Sequence, residues 1–320
     1  MLPRTLQRFL ASLPADGKVI WPAAAGRGKM AWSNALAQYA RTKDLNTLPE
    51  GTLLRSDEHT LTIYDGYPKA KFHFLVLPRV PFQLHSSDSE ASKPRDAFEL
   101  LKKGPTCVPP NHLSNLKSLL SSPHASRVLA ALRKASEETV QLIQEEQPYT
   151  KLAEDQEEAG TTWPVHVGFH AVPSMEHVHL HIISSDLISE RLKNKKHYLS
   201  FHPSHGFWLP LTHIEEMVRK GQKNLPHDER YYENLLKSTL TSFYDESEHS
   251  HIPKLKAHLE TKWIEDVRRR RASSEDDGGS SMEFKPSDAP RRPERAEQRH
   301  VSHFNTSARR SASPAPKSLR

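Results

Sequence analysis

Apolar and polar positions recur along this chain with two distinct periods, and the changes of period lay out its elements. Residues 30–44, KMAWSNALAQYARTK, carry apolar side chains at helical spacing and predict a helix. Residues 61–78, LTIYDGYPKAKFHFLVLP, predict strand, turn and strand; Gly66 and Pro68 punctuate the middle, and FHFLVL is continuous enough for a buried strand. Residues 126–146, SRVLAALRKASEETVQLIQEE, place leucine, valine and isoleucine on one stripe of an amphipathic helix. VHVGFHAVP (165–173) and HVHLHIIS (177–184) alternate as two more strands. The order strand–strand–helix–strand–strand predicts an α+β fold with a mostly antiparallel sheet. Further helical segments follow around IEEMVRKG, RYYENLLKSTL and KLKAHLETKWIEDVRRRR.

Elsewhere the periodicity lapses. Residues 84–111 are polar, serine-rich and proline-bearing, the composition of a disordered insertion. From residue 268 the chain is low in complexity, and its basic clusters fit a nuclear localisation signal, a nucleic-acid arm or a plain solvated tail. The expected division is a flexible leader over 1–28, a core over 29–205, a C-terminal module over 206–267 and a disordered tail over 268–320. The leader, MLPRTLQRFLASLPADG, reads equally as a mitochondrial transit peptide or as a short amphipathic or disordered segment.

Composition narrows the partners only slightly. Apolar residues make up 36% of the 320, and the mean hydropathy is -0.70, so much of the length is expected outside a packed core. A net charge of +6 favours polyanions without choosing among them. The single cysteine, Cys107, excludes an intramolecular disulfide and a cysteine-rich zinc site, and fits a reducing compartment. No apolar run reaches transmembrane length, so no membrane partner is expected.

Candidate chemistry gathers in PSMEHVHLHIISSDL, residues 173–187. Strand alternation puts His177, His179 and His181 on one face, and Val178, Leu180 and Ile182 on the other. Three readings stand. The row could ligate zinc, although three same-face positions on one strand are poorly shaped for a tetrahedron. It could be the polar surface of a sheet, but His170 precedes it and His73 lies on another predicted strand. Or one histidine is a nucleophile, with a neutral ring nitrogen aimed by a hydrogen bond to its other nitrogen and with cations nearby. The lysines of LKNKKHY would supply those cations.

The HVHLHII pattern resembles the histidine-triad superfamily of nucleotidyl hydrolases and transferases. YPKAKFHFLVLP, GFHAVPSMEHVHLHIIS and LKNKKHY resemble its aprataxin family, in the fungal form, over roughly residues 30–265. The resemblance implies a histidine-triad fold and removal of AMP from adenylated 5′ ends of nicked or broken DNA. It implies that His179 is the nucleophile, flanked by His177 and His181, with His170 near the leaving phosphate. Ser174 and Lys196 would hold the 5′-phosphate, and Asp65 the ribose. Lys69 and His73 would support the nucleotide pocket. Trp32 would stack on the end of the duplex and Leu36 would line the adenine pocket; a tryptophan and a leucine four apart are otherwise ordinary core positions. Read without the family, Lys69 is equally an exposed turn lysine and His73 equally a core histidine.

The resemblance falters near the C-terminus. The family's zinc-binding positions fall on Ser242, Asp245, His258 and Lys262, and only the histidine is retained. The expected module is a zinc-free remnant held by Leu240, Phe243, Leu255, Leu259 and Trp263. His249, His251 and Glu260 could rebuild a site, but a zinc-free module is the expectation. Tyr198 departs from the vertebrate motif, which has tryptophan there. The family's phosphopeptide-binding domain has no room before Lys29, so recruitment through it is not expected. The resulting expectation is a nuclear, monomeric DNA 5′-adenylate hydrolase that needs no catalytic metal. The alternatives are a small-nucleotide hydrolase of the same superfamily and a catalytically decayed nick-binding module.

Overall fold

The longest period-two runs of the sequence form the centre of one sheet. Its strands are β1 (Leu53–Ser56), β2 (Thr60–Tyr64), β3 (His73–Pro78), β6 (Val165–His170), β7 (Leu180–Ser184) and β8 (Trp208–Pro210). They pair antiparallel throughout, in the order β1-β2-β3-β7-β6-β8. Two short strands, β4 (Phe82–Gln83) and β5 (Cys107–Val108), pair separately. The structure, a computed structural model, describes residues 32–84, 106–152 and 157–276. Its helices are α1 (Ala35–Arg41), α2 (Leu116–Leu120), α3 (Ala125–Glu146), α4 (Lys195–Phe201), α5 (Leu211–Arg219), α6 (Glu229–Leu235) and α7 (Ile252–Asp276). Asn115 caps α2 by accepting from the Ser118 N–H, and Asp228 caps α6 by accepting from the Tyr231 N–H.

Every residue of β2, β3 and β7 is buried, so both faces of the central strands are covered. On one face Phe74, Val76, Leu180 and Ile182 pack against the α3 stripe of Val128, Leu129, Leu132 and Ile143. Each such side chain contributes about 1.5–3 kcal/mol by leaving water. On the other face Leu61, Ile63, Leu75 and Leu77 meet Leu36 and Tyr39 of α1. Further along that face, Ile183 and Trp208 meet Leu199 and Phe201 of α4, together with Leu240, Leu255 and Leu259 of the C-terminal module. His73 and His181 share this second face with Leu75, Leu77 and Ile183.

Several expectations change. The first predicted helix is a 3-10 turn over Trp32–Asn34 followed by α1, and residues 30 and 31 lie outside the described residues. Strand β1 was not anticipated. The disordered insertion expected over 84–111 is too broad, because Leu84 donates to the Thr106 carbonyl and β5 pairs with β4. Residues 85–105, the leader and residues 277–320 lie outside the described residues. The tail expected from 268 begins too early: α7 continues to Asp276, tied down by Arg268 and Arg271 on the Glu157 carboxylate. Among the described residues no helix is long and apolar enough to cross a membrane.

Candidate active site

Sheet register assembles the site. His181 lies opposite Leu75 on β3 and opposite Gly168 on β6, while His73 lies opposite Ile183. His73 and His181 are therefore diagonal neighbours on one face, close enough for their rings to meet. The His73 and His181 centroids are 5.3 Å apart, and those of His170 and His181 are 4.5 Å apart. The ring of Phe201, from α4, touches all three, at 5.1 Å from His73, 4.5 Å from His170 and 5.3 Å from His181. Trp208 closes the other side over Gly168, where an added Cβ would stand 2.8 Å from the indole and 2.5 Å from the Leu209 carbonyl. Glycine is required at that position by close approach.

The predicted row of three histidines on one strand face is not what forms. Only His181 belongs to a strand; β7 begins at Leu180. His177 has φ 82°, and its N–H and that of Val178 donate to the carbonyls of Ser114 and Leu113 instead of a sheet partner. That left-handed backbone breaks the alternation. His179 and His181 stay together, centroids 5.0 Å apart, whereas His177 donates from Nε2 to the Pro78 carbonyl at 2.6 Å. All three are buried, so the exposed-surface reading is also set aside.

Hydrogen-bond partners fix the ring protons. The Lys69 N–H donates to His73 Nδ1 at 3.2 Å, which leaves the His73 proton on Nε2. That proton faces His181 Nδ1 at 3.0 Å, so His181 carries its own proton on Nε2, which has no partner. His170 Nε2 is likewise buried without a partner. His179 Nδ1 donates to the His177 carbonyl at 2.8 Å, which leaves a lone pair on Nε2. Burial lowers the pKa of every one of these rings: to about 4 for His73 and for His177, and well below the usual range for His170 and His181. His179 is also lowered, by burial first, with its bond to the His177 carbonyl and the charge of Asp65 opposing. All are neutral at pH 7. The result is a ring nitrogen with a free lone pair beside buried, unpaired polar atoms, the arrangement in which a bound anion is wanted.

Asp65 accepts from the Tyr67 N–H at 2.7 Å and its other oxygen lies 3.5 Å from His73 Nε2. Lys69 is buried, not an exposed turn lysine; its ammonium donates to the Tyr67 carbonyl, and burial lowers its pKa against the pull of Asp65. Asp65, His73 and His181 offer ligand atoms within 4.8 Å of one another. Those ring nitrogens are spent on hydrogen bonds to each other and to Lys69, so the cluster is a relay of N–H groups rather than an open ligand set.

The structure brings together His170, His177, His179, His181, His73, Asp65 and Lys69. Ser174 is exposed in the β6–β7 loop, and Lys196 is exposed in the first turn of α4. Leu36 is fully buried among Tyr39, Leu61, Ile63, Leu75 and Leu77. The side chain of Trp32 lies outside the described residues. Two residues that border the site were not anticipated. His197, beside Lys196 in LKNKKHY, is half-buried and feels the charges of Lys69 and Asp65. Asn115 lines a narrow crevice with Pro173, His170, His177 and His179. Proximity in sequence could have flagged His197; nothing local marks Asn115.

Two segments of the chain match known families. Residues 106–197 match the family described as scavenger mRNA decapping enzyme C-term binding, and residues 204–265 match the C2HE / C2H2 / C2HC zinc-binding finger. Aprataxin of Gallus gallus is 32% identical over 207 residues, covering 65% of this chain and 49% of its own length. An aprataxin-like protein of Saccharomyces cerevisiae is 28% identical over 249 residues, covering 73% of this chain and 97% of its own length. The chain thus resembles aprataxin and aprataxin-like proteins over 65% to 73% of its length. The crystal structure of an aprataxin ortholog in complex with DNA has the same fold, with a TM-score of 0.50 at 24% identity over 75% of this chain and 98% of that one. The chain spans about half of Gallus gallus aprataxin and nearly all of the yeast aprataxin-like protein.

Proposed function

We propose that this chain is a DNA 5′-adenylate hydrolase, and that the observation carrying the reading is the free Nε2 of His179, held in place from behind by the His177 carbonyl. In the first step Nε2 attacks the α-phosphorus of the adenylate. A P–N bond forms, the phosphoanhydride P–O bond breaks, and the DNA 5′-phosphate leaves. In the second step water adds to the α-phosphorus and the P–N bond breaks, which frees AMP and returns His179 to its neutral form. Splitting one displacement into two is the benefit of a nucleophile. The unpaired Nε2–H of His181 supplies a donor for a phosphoryl oxygen, and a donor in a buried site needs no reorganisation as charge develops. Phosphoryl transfer of this kind is positioning and electrostatics, so the reading assigns no catalytic metal.

The remaining roles are those that the family resemblance implies. Asp65 would accept from ribose hydroxyls, and the exposed Ser174 and Lys196 would meet the 5′-phosphate of the departing strand. Trp32 would stack on a terminal base pair. The same reading makes the C-terminal module a zinc-free relative of the zinc-binding finger, and the protein a nuclear monomer acting on nicked DNA. The DNA-bound ortholog of like fold supports the choice of polymer over mononucleotide.

The test is a paired assay on a 5′-adenylated nicked duplex and on adenosine phosphoramidate. Preferred release of AMP from the duplex is expected. Preference for the phosphoramidate, with no salt-sensitive DNA binding, would move the chain to the small-nucleotide hydrolases.

A further inference from the structure

Residues 204–265 match a zinc-binding finger, and within them the chain forms a tight turn around Ser242. Thr241 and Glu248 bridge, the Ser242 N–H donates to the Ser247 carbonyl at 2.9 Å, and the Glu246 N–H donates to the Ser242 carbonyl at 2.9 Å. The four family positions do not fit zinc. Ser242 offers a neutral hydroxyl, already 3.1 Å from His258 Nε2 and accepting from the Tyr244 N–H at 3.2 Å. Asp245 accepts from the Ser247 N–H at 3.2 Å and the Ser247 hydroxyl at 2.6 Å. Lys262 is a cation, paired at 3.1 Å with Glu265. Asp245 and His258 are the only ionisable ligands left, and they face each other at 3.2 Å.

We propose that a hydrogen-bond cluster around His258, together with the hydroxyl of Tyr198, holds this turn in place of a metal. His258 Nε2 lies within 3.4 Å of Ser242, Asp245 and Ser247, and Ser247 reaches His249 Nε2 at 3.1 Å, so five side chains converge where a zinc ion would sit. Tyr198 comes from α4, beside the active site, and is fully buried. Its hydroxyl donates to the Thr241 carbonyl at 2.8 Å and accepts from the Phe243 N–H at 3.2 Å. It thereby clamps the residues on either side of Ser242, the first family ligand position. A tryptophan there could donate but not accept, so only a hydroxyl makes both bonds. Packing completes the replacement, since Leu240, Ile252, Leu255 and Leu259 join Leu199 and Phe201 in one cluster. Structural zinc ordinarily contributes folding energy outright; here these contacts supply it.

This inference deepens the zinc-free reading above, and its tests use no AMP release, so they stand or fall separately from the substrate assignment. Metal analysis of the purified full chain should find zinc far below one ion per chain, and EDTA should leave its melting temperature unchanged. Tyr198→Phe should lower that temperature by roughly 3–8 °C, because two backbone groups lose their partner. Ser242→Ala, which leaves the apolar core untouched, should lower it by about 1–4 °C. The triple variant Ser242→Cys, Asp245→Cys, Lys262→Glu should take up stoichiometric zinc and become sensitive to EDTA. Stoichiometric zinc in the wild type, or an EDTA-induced drop in its melting temperature, would overturn the proposal. So would unchanged melting temperatures in both Tyr198→Phe and Ser242→Ala.

Discussion

His179 is useful because its two nitrogens have different surroundings. Nδ1–H is consumed by a backbone carbonyl, and Nε2 is left bare in a buried site. Since burial lowers the pKa of His179, the nucleophile stays neutral below the ordinary histidine range. The acid limb of kcat should therefore fall below pH 6.5, and a pH–rate profile checks this; loss of rate already above pH 7 would contradict it. Stability follows the same sign. His73 and His177 have folded pKa values near 4, below the unfolded value of 6.5. Protons bind the unfolded chain more readily, so the contribution is complete above pH 6.5 and is lost as pH falls toward 4. Each histidine should cost on the order of 3 kcal/mol across that window, measurable by denaturant titration. The histidine cluster was legible in the sequence, and the family resemblance singled out His179 within it. Its tautomer was not, because the carbonyl behind it, like the Lys69 N–H that orders His73 and His181, depends on folded backbone geometry.

The sheet acts as a jig, and its least conspicuous residue is Gly168. With no side chain it admits Trp208, whose ring lies 6.0 Å from His170 and 6.1 Å from His181. Gly168→Ala should push the β6 and β8 strands apart, destabilising the fold by about 1–3 kcal/mol and lowering AMP release with it. A variant with wild-type melting temperature would show that the gap is not needed. Long periodic runs were legible: β2, β3, β6 and α3 all appear where alternation or helical spacing put them. Strand β1 was not, because LLRS is four half-buried or exposed residues without a clear period. The left-handed turn at His177 was also hidden, since histidine carries no marker of positive φ.

At the scale of the whole molecule, the finger-like module is continuous with the core that carries the site. Trp263 of α7 packs edge-on against Trp163 at 5.3 Å, and Leu255 and Leu259 join the cluster behind Phe201. The sequence divided these parts by composition and ended the last helix too soon, because ion pairs between Arg268, Arg271 and Glu157 span more than a hundred residues. Charge patterning nevertheless supports a polyanionic partner, with a net charge of +6. DNA affinity should accordingly fall at least about 10-fold between 50 and 200 mM salt, measured by fluorescence anisotropy on a nicked duplex; a flat response would remove phosphate contacts from the account. The central claim is a covalent adenylyl-His179, and single-turnover reaction with a 5′-adenylated nicked duplex tests it most directly. After rapid acid-free quenching and proteolysis, AMP should be found on the peptide containing His179, and His179→Ala should lose it along with at least about 10³-fold in AMP release. Release of AMP by His179→Ala at the wild-type rate would contradict the account.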